Sequence, residues 1–230
     1  MSDPLDHIEA GMVVCETPDL AAGAWATFRA CYPTMPLTIL EGSPPGSDCP
    51  RRMAATVVDD PCTRLVVAGR NVGHGPGMHR LLVGATRPLV LLFDSDVEFD
   101  RPGFAEGLAA LMTPGIVAAG QLLMLDRAWF RHIGLSRTPA PLPYVHPALH
   151  LVRRSVYLRL APYGQHGAPC LWTALDARRK GLQGRDFPVW DYARHLGRGT
   201  RKELARQKLP VSYHGATARD KPKRRKERRK

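Results

Sequence analysis

The fold is decided by residues 88–99, which read PLVLLFDSDVEF. The five consecutive apolar residues from Leu89 to Phe93 indicate a strand that is buried on both faces, as the central strands of parallel sheets are. The strand ends at two carboxylates, Asp94 and Asp96. Because open parallel sheets bind ligands outside the carboxyl ends of their strands, these carboxylates are expected to face a ligand. Paired oxygen donors suit Mg²⁺ or Mn²⁺, which in turn suits a diphosphate. An Asp-x-Asp pair by itself also occurs in solvated turns, and the upstream sequence decides between the two interpretations.

Length and composition are those of a globular protein, and the cysteines point to an intracellular one. A chain of 230 residues is long enough for one α/β domain with a full hydrophobic core, or for two small domains at most, and its apolar share of 44% is that of a globular protein. No stretch approaches the ~18 apolar residues of a membrane span, and the acidic start lacks a secretory signal. The five cysteines include no Cys-x-x-Cys pair, which argues against a zinc ribbon or a disulfide framework. We therefore expect a cytoplasmic protein, in the host cytoplasm if it is viral.

The positive charge is concentrated at the end of the chain. The net charge is +12, and residues Lys221 to Lys230 contribute +7 of it, with eight basic side chains and one acid, Glu227. Residues 216–230 are therefore expected to form a basic, disordered tail that contacts nucleic acid or another polyanion. The alternative is a solubilising tail without a partner.

A glycine-rich loop precedes the central strand. Residues 69–77 read GRNVGHGPG, and such a loop lets the backbone approach a ligand closely. No Gly-Lys-Ser or Gly-Lys-Thr follows, and the loop does not come after the first strand. Ordinary ATPases and NAD-dependent enzymes are therefore not indicated.

Hydrophobic periodicity and turn residues predict the remaining elements. A loop is predicted over residues 136–147, where four prolines exclude a helix. The predicted strands are 12–15, 37–40, 64–68, 115–124 and 187–190, and the predicted helices are 19–32, 78–86, 101–112 and 170–180, with a strand followed by a helix over 148–160.

The order of these features resembles the GT-A-fold glycosyltransferases, in particular the family-2-like group that uses nucleotide sugars. The resemblance covers about residues 12–200 and rests on the acidic strand ends, the Asn-x-Gly loop, the Asp-x-Asp strand and the late His-x-Gly-x-Gly-Thr of residues 195–200. It implies a mostly parallel α/β sheet flanked by helices, in a single domain of residues 1–215. The nucleotide-binding half would span about residues 10–100 and the acceptor half about 101–215, followed by the tail at 216–230.

The resemblance also implies roles for individual residues. Asp94 would approach the ribose or sugar and, with Asp96 and His195, hold Mn²⁺ or Mg²⁺. The other implied contacts are with the UDP- or GDP-sugar: Thr17 and Glu41 at the nucleoside, Asn71 and Gly73 in the loop that packs on the nucleotide, and Arg198 and Arg201 at the diphosphate.

The general base departs from the family pattern. Where the family places an acidic pair at the start of the late helix, this chain has Ala168-Pro169-Cys170. An inverting enzyme needs a base to take the proton of the acceptor. Asp176 and Asp191 are the nearest acids and the two candidates. A retaining enzyme would need none.

Several functions remain open at this level. The resemblance implies sugar transfer to an acceptor hydroxyl, and the tail points to nucleic acid, with modified bases of phage-type DNA as one acceptor and a protein or small molecule as others. A nucleotidyltransferase would need a glycine-rich basic loop directly after the first strand, and residues 15–19 do not provide it. A non-catalytic nucleic-acid-binding protein is the third alternative, although the strand-end carboxylates would repel a polyanion.

Overall fold

The structure is a computed structural model that describes residues 3–132, 140–164 and 168–197. These residues form nine strands and seven α-helices, together with the 3₁₀ helices Pro4–His7 and Val189–Asp191. The strands are β1 (Ile8–Val14), β2 (Leu37–Glu41), β3 (Thr63–Val67), β4 (Leu89–Asp94), β5 (Val97–Phe99), β6 (Ile116–Leu125), β7 (Leu142–Arg153), β8 (Gln183–Asp186) and β9 (Ala193–His195). The helices are α1 (Pro18–Cys31), α2 (Cys49–Val57), α3 (His74–Gly84), α4 (Phe104–Ala110), α5 (Arg127–His132), α6 (Arg154–Tyr157) and α7 (Leu171–Arg179).

Seven strands form one mixed sheet in the order β3-β2-β1-β4-β7-β6-β8. The pairs β3–β2, β2–β1, β1–β4 and β6–β8 are parallel, and β7 runs antiparallel to both β4 and β6. Helices cover both faces. The predicted class, a mostly parallel α/β sheet flanked by helices, is confirmed. A second sheet consists of β5 and β9 alone.

The central strand β4 is buried on both faces, as its sequence predicts. Leu91 and Phe93 point into a core shared with α1, α2 and α4, whereas Val90 and Leu92 point into a second core shared with α3 and α7. Since alternate side chains of a strand face opposite sides of the sheet, a continuous apolar run is what a strand between two helical layers requires.

The first helix shows how sequence sets the bounds of an element. Pro18 occupies the first turn of α1, where a missing N–H removes no helical hydrogen bond. Ala21, Ala24 and Phe28 recur at helical spacing and are fully buried. The helix ends at Cys31, two residues before Pro33, close to the predicted bounds.

Two local predictions are wrong. Residues 142–147, predicted as part of a loop, are the first half of β7. Among the described residues, this half of β7 pairs only with β6, because the pairing with β4 begins at Leu149. Such an edge tolerates Pro143 and Pro147. Residues 187–190 were expected to be a strand, but Val189–Asp191 is a 3₁₀ helix between β8 and β9.

The described residues include all five cysteines, and each of these is a free thiol. Within the same ranges, none of the helices has the length and hydropathy needed to cross a bilayer.

Arg29, near the end of α1, forms an ion pair and hydrogen bonds with residues at the start of β3. Its guanidinium forms an ion pair with Asp60 at 2.5 Å, and Asp60 also accepts the indole N–H of Trp25 at 3.0 Å. The other acceptors of Arg29 are the carbonyl oxygens of Tyr32, Met35 and Cys62 and the hydroxyl of Thr63. Burial alone would raise the pKa of Asp60, but the hydrogen bonds it accepts outweigh burial and lower that pKa to about 2.

We predict that Asp60→Asn destabilises the fold by about 3 kcal/mol at pH 7, because it leaves a largely buried guanidinium without its anion. The depressed pKa means that the stabilisation is complete above about pH 4 and disappears as the pH falls towards 2. Urea unfolding of both proteins between pH 2 and 7 measures this difference. Asp48→Asn, at an exposed ion pair with Arg51, is the matched control and should change stability little. A difference that does not depend on pH would contradict the prediction.

Candidate active site

The site forms where β4 ends and β5 begins. Asp94 is the last residue of β4, and Asp96 immediately precedes β5. Strand β9 pairs antiparallel with β5, so that Val97 lies opposite His195. The amide of Leu196 donates to the carbonyl oxygen of Asp96 at 2.9 Å. This pairing carries an imidazole from the distant end of the described chain to the Asp-x-Asp turn.

Asp94, Asp96 and His195 form a cluster that fits a divalent cation. Their ligand atoms lie within 4.8 Å of one another, and the Nε2 of His195 is 3.1 Å from an oxygen of Asp96. Two carboxylates and one imidazole are donors that Mn²⁺ accepts, and Mg²⁺ accepts the oxygens. The hydrogen bond to Asp96 raises the pKa of His195. Since a metal-bound imidazole is neutral, cation binding at this cluster should strengthen as the pH rises.

Two aromatic rings, those of Trp190 and His146, contact the imidazole of His195. The ring of Trp190 stacks on it, with centroids 5.7 Å apart and planes at 10°. The indole N–H of Trp190 donates to the side-chain oxygen of Gln121 at 2.9 Å, which fixes the indole in turn. His146 of β7 meets His195 edge-on at 6.1 Å, and its buried Nδ1 has no hydrogen-bond partner among the described residues.

His74 engages the other carboxylate of the Asp-x-Asp turn. It is the first residue of α3, and its Nε2 lies 2.7 Å from an oxygen of Asp94. Burial alone would lower the pKa of His74, but the adjacent carboxylate raises it, and the same pairing lowers the pKa of Asp94. Burial alone would raise the pKa of Asp94, so His74 offsets burial, favours the charged form of Asp94 and orients it.

The glycines of the 69–77 loop allow α3 to pack closely against β1 and against the segment that ends at Gly164. A Cβ on Gly75 would lie 1.6 Å from the carbonyl oxygen of Gly164, and one on Gly77 would lie 2.9 Å from the side chain of Val13. Gly73 adopts φ +76°, and its amide donates to the side chain of Asn71 at 2.8 Å. Packing thus accounts for Gly75 and Gly77, whereas a nucleotide contact of Asn71 and Gly73 stays a prediction.

The predicted nucleoside residues lie at the ends of β1 and β2. Thr17 is fully buried ahead of α1, and its hydroxyl is 3.5 Å from that of Ser95, inside the Asp-x-Asp turn. Glu41 is also fully buried, at the last position of β2. Since β1 lies between β2 and β4, these side chains and the Asp-x-Asp turn share one edge of the sheet.

Similar proteins with known folds share this architecture. No protein-family profile matches the chain. A mannosyltransferase of Pyrobaculum calidifontis, solved with GDP-Man and Mn²⁺, superposes with a TM-score of 0.61 at 17% identity over 79% of this chain and 55% of that one. Glucosyl-3-phosphoglycerate synthase of Mycobacterium tuberculosis, solved with Mn²⁺, UDP and glucosyl-3-phosphoglycerate, gives 0.53 at 16% identity over 89% and 81%. Staphylococcus aureus TarS 1–349, solved with UDP-GlcNAc, gives 0.56 at 9% identity over 81% and 57%.

The chain has the GT-A fold. A curated Mycobacterium tuberculosis (strain CDC 1551 / Oshkosh) protein described among the glycosyltransferases is 31% identical over 134 residues, which are 54% of this chain. The chain spans 36% of that relative's length. The structural similarity agrees with the resemblance inferred from the sequence, and the low identities restrict what it establishes to the fold.

The two predicted bases occupy different surroundings in this GT-A domain. Asp176 of α7 accepts the amide of Ala161 at 3.0 Å and the ammonium of Lys180 at 3.1 Å, so its carboxylate joins α7 to the preceding segment. Asp191 is exposed at the end of the 3₁₀ helix, next to Trp190. A catalytic role stays a prediction for each. Arg198, Arg201 and the basic segment Lys221 to Lys230 lie outside the described residues.

No sequence pattern assigned His74, His146, Trp190 or Gln121 to the metal cluster. The position of His74 held a usable signal, because it stands in the glycine-rich loop at the start of a helix. The other three residues had none, since they come from β6, β7 and the 3₁₀ helix, and only the sheet brings them to His195.

We predict that Trp190→Leu weakens Mn²⁺ binding about ten-fold, because the imidazole loses the stacked ring that orients it. Calorimetry with Mn²⁺ alone measures the affinity. Trp172→Leu, at a tryptophan that is 41% exposed on α7, is the matched control and should leave it unchanged. Equal affinities for wild type and Trp190→Leu would show that the stack does not position the ligand.

Proposed function

We propose that the chain is a metal-dependent glycosyltransferase, which moves a sugar from a nucleoside diphosphate to an acceptor hydroxyl. The observation that carries the proposal is the Asp94, Asp96 and His195 cluster at the carboxyl end of the central strand of a GT-A fold. A non-catalytic scaffold does not require an imidazole paired with a buried carboxylate at the edge of the sheet where ligands bind.

The residues of the site divide the work of such a transfer. Asp94, Asp96 and His195 would hold Mn²⁺ or Mg²⁺, which when bound neutralises the charge of the diphosphate leaving group. His74 would hold Asp94 in place through the 2.7 Å contact with its carboxylate. Arg198 and Arg201 would add positive charge at the leaving group, as the family resemblance implies.

The nucleoside would lie across the ends of β1 and β2. Thr17 and Glu41 would contact it, and the loop containing Asn71 and Gly73 would pack on it. Three solved neighbours carry UDP, GDP-Man or UDP-GlcNAc, which supports a UDP- or GDP-sugar as the donor. The base would be Asp176 or Asp191 in an inverting enzyme. The division into a nucleotide half at 10–100 and an acceptor half at 101–215 belongs to the same proposal.

The proposed acceptor is a polyanion recruited by the basic segment, with modified bases of phage-type DNA as the specific candidate. The support is the net charge of +7 on residues 221–230. A protein or small-molecule acceptor is the alternative. The cytoplasmic location expected from the sequence stays a prediction.

We predict that GDP or UDP binds the protein only with Mn²⁺ or Mg²⁺ present, and that Asp96→Asn and His195→Ala each weaken this binding by about 100-fold. Calorimetry with each nucleotide, with and without the cation, measures the effect. Asp59→Asn, at an exposed carboxylate beyond α2, is the control. Binding that ignores both the cation and the substitutions would refute the proposed function and favour a non-catalytic scaffold.

We predict that substituting the eight basic side chains of residues 221–230 with glutamine reduces retention on DNA and flattens its dependence on salt, because fewer phosphate counterions are released. Fluorescence anisotropy with a labelled duplex at several salt concentrations measures both. Metal-dependent nucleotide binding should persist in this variant. Unchanged DNA retention would refute the nucleic-acid acceptor and leave the proposed sugar transfer standing.

A further inference from the structure

A pocket of about 590 Å³ lies between α7 and the strands β6, β7 and β8. The side chains that α7 contributes to its wall include the small ones of Thr173, Ala174 and Ala177, and β6 contributes Ala118. A helix that packs on a sheet usually fills the interface with larger apolar side chains, since protein interiors are close-packed. Small residues therefore leave a space under α7, and its volume is that of a site for a small ligand.

The buried part of the pocket presents apolar surface. Among the described residues, its buried polar side chains already have partners. The hydroxyl of Thr173 donates to the carbonyl oxygen of Ala161 at 2.6 Å. The hydroxyl of Tyr163 lies 3.1 Å from Nε2 of His150 and also bonds to the thiol of Cys170. A sugar or a nucleotide would lose its hydrogen bonds to water here without replacement, so an apolar group fits this space better.

The mouth of the pocket carries positive charge. Arg178 and Arg185 line it, and both are exposed. Nη1 of Arg178 donates to the carbonyl oxygen of Pro141 at 2.7 Å, which holds the guanidinium at the mouth and leaves its other N–H groups available. Within the described ranges neither arginine forms an ion pair, and no carboxylate belongs to the lining. Met124, which is 55% exposed, adds apolar surface to the same rim.

We propose that this pocket binds a single-chain fatty acid, with the alkyl chain under α7 and the carboxylate at Arg178 and Arg185. The apolar interior matches the chain, and the planar guanidinium groups match the two oxygens of a carboxylate. The site is separate from the metal cluster, because Asp94, Asp96 and His195 do not line it. Fatty-acid binding here is therefore independent of sugar transfer.

The first test is calorimetry of the full-length wild-type protein with octanoate, decanoate and dodecanoate, each below its micellar concentration. The affinity should rise about four-fold for each added CH₂, because the chain leaves water. Dodecylammonium has the same chain and the opposite charge, so it should bind about ten-fold more weakly than dodecanoate. Absence of dodecanoate binding, or equal affinities for the two amphiphiles, would overturn the assignment.

The second test separates the chain from the carboxylate. Ala174→Phe places a ring in the pocket and should weaken dodecanoate binding about ten-fold. The double variant Arg178→Gln, Arg185→Gln should lose the preference for dodecanoate over dodecylammonium. Arg179→Gln, at an exposed arginine of α7 outside the lining, is the matched control. Thermal unfolding checks that each variant folds. Unchanged affinities in folded variants would refute the site, and the wild-type series tests it without any variant.

A second copy of the chain is the other occupant that an apolar pocket permits. Sedimentation equilibrium of the wild-type protein, with and without dodecanoate, distinguishes the two occupants. A monomer that binds dodecanoate supports the fatty-acid site. A dimer that Ala174→Phe dissociates and dodecanoate does not would assign the pocket to the second copy and overturn the proposal.

Discussion

The burial of β4 on both faces is the constraint on which the rest of the structure depends. Its backbone is hydrogen-bonded to β1 on one edge and to β7 on the other, and its side chains enter two separate cores. A strand held on four sides cannot shift its register without moving its apolar side chains out of both cores. Asp94 and Asp96 therefore leave the sheet at a fixed point, and every other part of the site is placed relative to them.

The pairing of β5 with β9 closes the site across nearly a hundred residues. Only three residues on each strand take part, yet this pairing sets His195 against Asp96. Ordering so long a loop costs conformational entropy, and the buried side chains of Val97, Phe99 and Ala193 help to offset it. A short sheet outside the main one is thus what combines donors from both halves of the chain.

Buried polar atoms without a hydrogen-bond partner distinguish the proposed ligand-binding residues from polar residues that stabilise the fold. Asp60 and Asp176 have their carboxylates satisfied by neighbouring donors, and both act in packing. Among the residues that the structure describes, in contrast, Glu16, Glu41, Tyr144 and His146 each have a buried side-chain atom without a hydrogen-bond partner. Because such atoms destabilise a fold unless something else binds them, those of Glu41 and His146 support the proposed ligand site.

The sequence by itself determined the class of the fold, the central strand and the acidic strand ends, because these depend on hydrophobic runs and turn residues that act locally. The sequence also identifies Asp94, Asp96 and His195 as candidate metal ligands, although it only implies that their side chains lie close together. The tertiary structure alone decided that β7 runs antiparallel through the prolines near 143 and that His74 pairs with Asp94. It alone placed Trp190 against His195 and Glu41 next to the amide of Ser43. The physical reason is that these contacts join segments remote in sequence, and their geometry is set by sheet order and register rather than by local propensity.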